Sequence, residues 1–157
     1  MQNLPITPEE VRFFKELNKN KVPFIIVGLA SAVLQGAPIV TKDVDVWFRN
    51  IDDPRLQDVV KKCGAIFVAS DGSNPPVLAG KGFEEIDIVT HVHGVSEFDE
   101  EYKKCGKVKI ADITFRLLSL ESIIKSKRYL NREKDLMVLP ALKDALVAIE
   151  GKRRSRK

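Results

Sequence analysis

The chain has 157 residues, of which 44% are hydrophobic and 31% charged, with a formal net charge of +4. These proportions are typical of a soluble globular domain that buries enough apolar surface to need no disulfide or metal for its stability. No apolar run is long enough to span a bilayer, the two cysteines form neither a disulfide framework nor a metal-ligand spacing, and the first residues lack the features of a secretory signal, so we expect a cytoplasmic protein without membrane contact.

The first half of the chain predicts alternating helices and strands. Thr7 and Glu10 have the spacing of a capping box, and Pro8 suits the first position of a helix. The apolar run that ends at Gly28 is typical of a buried strand. The predicted elements are, in chain order, a helix over Pro8–Lys19, a strand over Phe24–Val27, a helix over Leu29–Leu34, a strand over Asp43–Phe48, a helix over Asp53–Cys63 and a strand over Ala65–Ala69.

The second half predicts further strands followed by helices. Gly, Ser, Asn and Pro are frequent in Ser70–Gly82, which indicates a loop or flap. The remaining predicted elements are a strand over Phe83–Val92, a helix over Ser96–Lys104, a hairpin of Lys107–Ile110 and Ile113–Leu117, a helix from Ser119, and a helix over Arg132–Ile149 that is kinked or restarted at Pro140. We expect a core over residues 1–118, a helical element over 119–150 packed on it, and a disordered basic tail over 151–157.

Three aspartates on two predicted strands indicate a metal site. In the alternating segment Asp43–Phe48, Asp43 and Asp45 point to the same side of the strand, together with Trp47. Two carboxylates held that close repel each other unless a cation lies between them, and oxygen ligands suit magnesium. Asp87 is flanked by isoleucines in the later strand, where a carboxylate needs a functional reason.

A glycine at a strand–helix junction predicts a phosphate site. Gly28 follows a strand directly and opens a helix, whose first backbone amides attract anions. Glycine also lets a phosphate approach the backbone closely. The hydroxyl of Ser31 is a further candidate donor.

These segments, in this order, resemble the DNA polymerase β-type nucleotidyltransferase superfamily. The segments that carry the resemblance are VGLASAVLQGAP, TKDVDVWF, EEIDIV and the run K-x4-R-x-KD, and together they cover roughly residues 22–146. The chain is most similar to the small bacterial nucleotidyltransferases of the abortive-infection and toxin–antitoxin type. The resemblance implies an α/β (α+β) nucleotidyltransferase fold: a mixed, twisted sheet flanked by helices, with a C-terminal helical element.

The last of these segments implies a cationic side to the nucleotide site. In the branch that the chain resembles, the lysines corresponding to Lys127 and Lys134 face the nucleotide, and an aspartate corresponding to Asp135 supports them. Lys127 and Lys134 share one face if the helix between them is continuous. Cations at that position can neutralise a triphosphate.

The implied activity is transfer of a nucleoside monophosphate from a nucleoside triphosphate to an acceptor hydroxyl with one or two Mg²⁺ ions. Asp43, Asp45 and Asp87 are the predicted metal ligands and catalytic residues, and RNA, a protein or a small molecule is the acceptor. The alternative is a weak or inactive nucleotide-binding member that acts as a toxin–antitoxin or regulatory module. Leu29 and Ile39 motivate this alternative, because many family members have a second small residue and an arginine at those positions.

Two other aromatic features of the sequence stay open. His91 and His93 alternate near Asp87, but no third His or Cys is close enough in sequence to predict a zinc site. Trp47 either stacks on a nucleobase or packs beside the cleft.

Overall fold

A mixed five-stranded sheet forms the centre of the computed structural model, which describes residues 6–68 and 75–155. A separate two-stranded sheet lies beside it. The elements are α1 (Pro8–Lys19), β1 (Phe24–Val27), α2 (Gly28–Leu34), β2 (Val44–Phe48), α3 (Pro54–Lys62), β3 (Ile66–Val68), β4 (Val77–Ala79), β5 (Ile86–Val89), α4 (Phe98–Lys104), β6 (Gly106–Ile110), β7 (Ile113–Leu117), α5 (Leu120–Leu130) and α6 (Glu133–Ser155).

The main sheet has the strand order β5-β2-β1-β7-β6. β2 runs antiparallel to β1 and parallel to β5, while β7 runs parallel to β1 and antiparallel to β6. The central strand, β1, is buried on both faces, as expected for the uninterrupted apolar run FIIV. The predicted fold class, a mixed sheet flanked by helices with a C-terminal helical element, is confirmed.

Two hydrophobic clusters cover the two faces of the sheet. One cluster packs α1 and α3 against the face that carries Val44, Val46 and Phe48. The other packs α2, α5 and α6 against the opposite face, which carries Trp47. The alternation predicted for β2 is therefore confirmed, and its Asp45 lies on the face covered by α2 and α5.

The buried carboxylate of Glu10 ties α1 to the strand that carries Asp87. Glu10 accepts hydrogen bonds from the backbone N–H groups of Thr7 (2.8 Å) and Glu85 (3.1 Å). The Thr7 hydroxyl accepts in turn from the Glu10 backbone and donates to the carbonyl of Gly82. The predicted capping box is thus present, and it also fixes the approach to β5.

The structure differs from the sequence predictions at three places. Val77–Ala79, predicted as loop, forms a strand that pairs with β3; residues 69–74 of that predicted loop or flap lie outside the described residues. α6 does not restart at Pro140 but continues through it, and buried Leu139, Leu142 and Ala145 on both sides of the proline pack into one cluster. α6 also continues to Ser155, so residues 151–155 are helical and not disordered.

Candidate active site

Asp45 and Asp87 lie directly opposite each other on neighbouring parallel strands. They are register partners in the β2–β5 pair, flanked by the apolar pairs Val44–Ile86 and Val46–Ile88. The flanking side chains point into the core, so the two carboxylates are turned together toward the other face of the sheet. The structure therefore brings two of the three predicted acidic residues to one place.

Asp43 precedes β2 and is exposed. The next residue, Val44, donates its backbone N–H to the carbonyl of Glu85 at 2.7 Å, which places Asp43 at the edge where the two strands begin to pair. Its negative charge raises the pKa of both Asp45 and Asp87. Asp43 thus belongs to the same electrostatic site.

Burial and neighbouring negative charge make the ionised form of Asp45 unfavourable. Desolvation is the larger cause, followed by the charges of Asp87 and Asp43, and together they raise the pKa of Asp45 to about 6. Burial and Asp43 also raise the pKa of Asp87. A divalent cation would relieve this repulsion, and carboxylate oxygens are the ligands that Mg²⁺ prefers, so the donor chemistry of the site fits that ion.

The carboxylates are not already gathered as a complete metal cage. Within residues 6–68 and 75–155, no group of three or more His, Cys, Asp or Glu side chains has the arrangement of a metal site. Binding of a metal here therefore requires Asp43 to join Asp45 and Asp87 or requires ligands from the substrate, as is usual for Mg²⁺ beside phosphates.

Gly28 lies against the carboxylate of Asp45. It has φ +63°, a left-handed conformation that glycine adopts at little cost, and a Cβ atom built there would be 2.9 Å from Asp45 Oδ2. Any side chain at this position would displace the carboxylate. The close neighbour of Gly28 in the structure is thus the Asp45 carboxylate, and the predicted approach of a phosphate stays a prediction.

A cavity of about 180 Å³ opens next to these residues. Its sheet side includes Gly28, Asp45 and Val89, and its helical side includes Ser126 and Lys127 of α5. Lys127 lies close enough to Asp45 to lower the pKa of that carboxyl and partly offset the acidic neighbours. The cavity therefore has acidic and cationic groups on opposite sides, as a bound metal–phosphate group requires.

Asp135 holds two cations at the cavity. Its buried carboxylate lies 2.6 Å from Arg132 Nε and 3.4 Å from Lys127 Nζ, and it also accepts from the backbone N–H of Arg132 at 3.1 Å. Arg132 and the other contacts lower the pKa of Asp135 to about 2. The supporting role that the resemblance implies for Asp135 agrees with these contacts.

The structure does not bring Lys134 to the cavity. α5 ends at Leu130, Asn131 adopts a left-handed conformation (φ 52°), and a new helix begins at Glu133. The helix between Lys127 and Lys134 is therefore broken, and Lys134 is exposed and outside the cavity lining. Arg132 supplies the second cation instead, and the sequence signal for it was the arginine of the same motif.

Ser31 does not face the cavity either. Its side chain is fully buried, and its hydroxyl donates to the carbonyl of Leu118 at 2.8 Å. Gln35 donates to the same carbonyl at 2.9 Å and to the Ser31 hydroxyl at 3.1 Å. The prediction of a phosphate contact from Ser31 does not agree with this arrangement, in which Ser31 joins α2 to the end of β7.

Sequence reasoning missed the part that the two histidines play in the cavity. His91 and His93 both line it, with ring centroids 4.7 Å apart, and the His93 ring is parallel to that of the exposed Tyr129. Trp47, by contrast, is buried against Phe98. It therefore packs inside the protein and does not offer its ring to a nucleobase. The signal for the histidines was their alternation beyond Asp87 in the sequence, although β5 ends at Val89 and both histidines follow it.

Solved structures of nucleotidyltransferases have the same fold as this chain. The adenylyltransferase ANT(2'')-Ia, in complex with adenylyl-2''-tobramycin, superposes with a TM-score of 0.59 and 17% identity over 94% of this chain and 95% of its own. The lincosamide antibiotic adenylyltransferase LnuA, bound to lincomycin, gives 0.58 and 15% over 89% and 98%. An antigenic nucleotidyltransferase-like protein from Paracoccidioides brasiliensis gives 0.54 and 17% over 94% and 88%.

No protein-family model and no curated protein sequence matches the chain. The structural matches extend over nearly the full length of each partner, and their agreement includes the mixed sheet and the C-terminal helices. No helix within the described residues has the length and apolar character needed to cross a membrane. The chain thus has the fold of the nucleotidyltransferases.

Proposed function

We propose that this protein transfers a nucleoside monophosphate from a nucleoside triphosphate to an acceptor hydroxyl. The observation that carries the proposal is the register of Asp45 with Asp87, beside a cavity that Lys127 and Arg132 line from the other side. The shared fold with adenylyltransferases supports it. The resemblance of the motifs to the polymerase β-type superfamily supports the same reaction class.

Each residue has a defined part in this proposal. Asp43, Asp45 and Asp87 would hold Mg²⁺, which when bound supplies neutralisation of phosphate charge and polarisation of the phosphoryl group. Lys127 and Arg132 bind and orient the triphosphate, and Asp135 keeps both cations in place. Asp87 is exposed and is the register partner of Asp45, and its raised pKa suits it to accept a proton from the acceptor hydroxyl.

The cavity also sets where the rest of the nucleotide lies. Gly28 lets the Asp45 carboxylate lie against the backbone at the start of α2, and the phosphates bind beside that carboxylate. His91 and His93 offer flat rings on the sheet side, and Tyr129 adds an exposed ring. A nucleobase or an acceptor with a planar group can stack there.

The first experiment separates nucleotide binding from transfer. Calorimetry with ATP and Mg²⁺ is expected to show binding by the wild-type protein, and release of pyrophosphate is expected on addition of an acceptor from a panel of RNA, aminoglycoside, lincosamide and the protein itself. Asp45→Asn is expected to release none. Nucleotide binding with no pyrophosphate release across the panel would instead favour the alternative function. In that alternative, which Leu29 and Ile39 motivate, the protein binds a nucleotide without transferring it.

A further inference from the structure

A second group of cations lies on the outer strands of the sheet, away from the cleft. In the β6–β7 hairpin, Lys107 is the register partner of Arg116, and Lys109 is the partner of Thr114. Register partners share a face, so Lys107, Lys109 and Arg116 project from the same side of the hairpin, opposite to the core residue Phe115. We call these three residues, with Lys21, the basic face.

The basic face lacks salt-bridge partners in the part of the chain that the structure describes. Within residues 6–68 and 75–155, no carboxylate forms a salt bridge with any of its four cations. In the neighbouring α4, Glu100 and Glu101 pair with lysines of their own helix, and Asp99 pairs with Arg49. Like charges directly opposite each other on paired strands are destabilising, so Lys107 facing Arg116 is a cost to the fold. An anionic ligand would remove that cost.

Lys21 lies in the same region, and its backbone conformation also lowers the stability of the fold. It follows the end of α1 with φ 55°, a left-handed conformation in which glycine is strongly favoured. Its backbone N–H bonds to the carbonyl of Asn18 and that of Val22 bonds to the carbonyl of Leu17, which closes the helix end. A lysine therefore occupies a position where its backbone is unfavourable and its charge adds to the basic face.

A cavity of about 330 Å³ lies beside two of these cations. Lys21 and Arg116 line it together with Tyr102, Thr114 and Asn18, above an apolar floor that includes Phe24. The guanidinium of Arg116 lies 4.2 Å from the centroid of the Tyr102 ring, which holds its plane in a fixed orientation. Such a plane can stack on a base while the adjacent cations contact phosphates.

We propose that the basic face binds the backbone of single-stranded RNA. Lys107 and Lys109 are two residues apart on a strand, about 7 Å, similar to the spacing of successive phosphates in an extended strand. The exposed large apolar side chains of the described residues all lie elsewhere, so the face lacks the groups that insert into a membrane. Charge, spacing and the stacked arginine together favour a nucleic-acid strand.

The basic face and the cleft lie toward opposite ends of β1. Phe24 lines the cavity at one end of the strand, and Val27 lines the cleft at the other end, about 10 Å away along the strand. Because β1 is buried, an RNA strand that reaches the cleft must run over the outside of the fold. That the RNA is the acceptor rests on the proposed function, whereas its binding to the basic face does not.

The test measures the affinity of the full chain for a fluorescein-labelled RNA of about 12 nucleotides by anisotropy, without nucleoside triphosphate. We expect Lys107→Gln/Lys109→Gln/Arg116→Gln to weaken binding at least about tenfold and to reduce the salt slope of log K by about 2. The matched control, Lys61→Gln/Lys81→Gln/Lys143→Gln, removes the same charge at exposed lysines outside the face and the cleft. Equal losses in both variants would overturn the proposal. Thermal unfolding checks that both triple variants are folded.

Two further measurements exclude other sources of binding. If Lys152→Gln/Arg153→Gln/Arg154→Gln abolishes RNA binding while the basic-face variant retains it, the end of α6 carries the binding and the proposal is wrong. Binding to phosphatidylserine vesicles but not to RNA would also overturn it. RNA binding that depends on the basic face but yields no labelled RNA with ATP and Mg²⁺ would contradict RNA as the acceptor and leave the binding site standing.

Discussion

Asp45 and Asp87 face each other across a pair of parallel strands, and the negative charge of Asp87 disfavours ionisation of Asp45. The two residues come from segments separated by α3 and the β3–β4 hairpin. Their opposition is therefore created by the sheet and not by local sequence. This arrangement leads to predictions on stability as well as on activity.

Asp45→Asn is expected to stabilise the protein at neutral pH while it abolishes transfer. The pKa of Asp45 rises from 3.8 to about 6 on folding, so the folded state binds its proton more tightly than the unfolded chain. The ionised form then costs roughly 1–3 kcal/mol of folding free energy above pH 6, and this cost disappears as the pH falls from about 6 to about 4. Thermal unfolding at about pH 8 and about pH 4 measures the difference between variant and wild type. A gain in stability at low pH alone would contradict the assigned direction.

Gly28→Ala is expected to lower both stability and activity more than Gly36→Ala does. Both glycines have positive φ (63° and 97°), so alanine strains the backbone at each by roughly 1–2 kcal/mol. Only at Gly28 does the new Cβ meet the Asp45 carboxylate, since nothing lies within 4 Å at Gly36. Urea denaturation and pyrophosphate release distinguish the two. Equal loss of activity in both variants would mean that the Asp45 contact is unimportant.

Lys127→Ala is expected to reduce kcat/KM by about 10²-fold or more, as is usual when a preorganised charge at a reacting phosphate is removed. Lys134→Ala is the matched control, because Lys134 is exposed and outside the cavity. Its kcat/KM is expected to change by less than about twofold. Steady-state kinetics with ATP as the varied substrate tests both variants. A large effect of Lys134→Ala would instead support the predicted contact between Lys134 and the nucleotide.

Asp135 is expected to contribute to stability at neutral pH and to lose that contribution in acid. Its folded pKa of about 2 lies below the ordinary aspartate pKa of 3.8, so its stabilisation is present above about pH 4 and is lost as the pH falls toward 2. We expect Asp135→Asn to lower the free energy of unfolding by about 1–2 kcal/mol at pH 7. The loss is no larger because Arg132 is half-exposed, so that solvent screens its interaction with Asp135. Chemical denaturation at about pH 7 and about pH 2.5 should show the gap between variant and wild type closing in acid. A gap that is independent of pH would contradict this ionic role.

Much of the fold follows from local patterns in the sequence. The capping box at Thr7 and the proline after it define the start of α1, and the alternation in β2 assigns Asp45 and Trp47 to the face opposite Val46. The hairpin of β6 and β7 also matches its prediction. These elements are fixed by backbone periodicity and capping, which act over a few residues.

The errors at the site come from interactions over long distances in sequence and from one backbone conformation. The burial of Ser31 depends on Leu118, which is remote in sequence, and no pattern around Ser31 reveals that contact. The exchange of Lys134 for Arg132 depends on Asn131 adopting a left-handed conformation, which breaks the helix. Asparagine adopts that conformation more readily than most residues do, but it also occurs within helices. Asn131 alone was therefore compatible with both a continuous and a broken helix.

The parallel pairing of β2 with β5 also bears on how the protein folds. Parallel partners require a long crossover, and closing such a loop delays their contact relative to hairpins such as β6–β7. We therefore expect the cleft beside Asp45 to assemble late in refolding, after hairpins such as β6–β7. A chain that has not yet paired β2 with β5 would lack the two opposed carboxylates of the cleft, however compact it is.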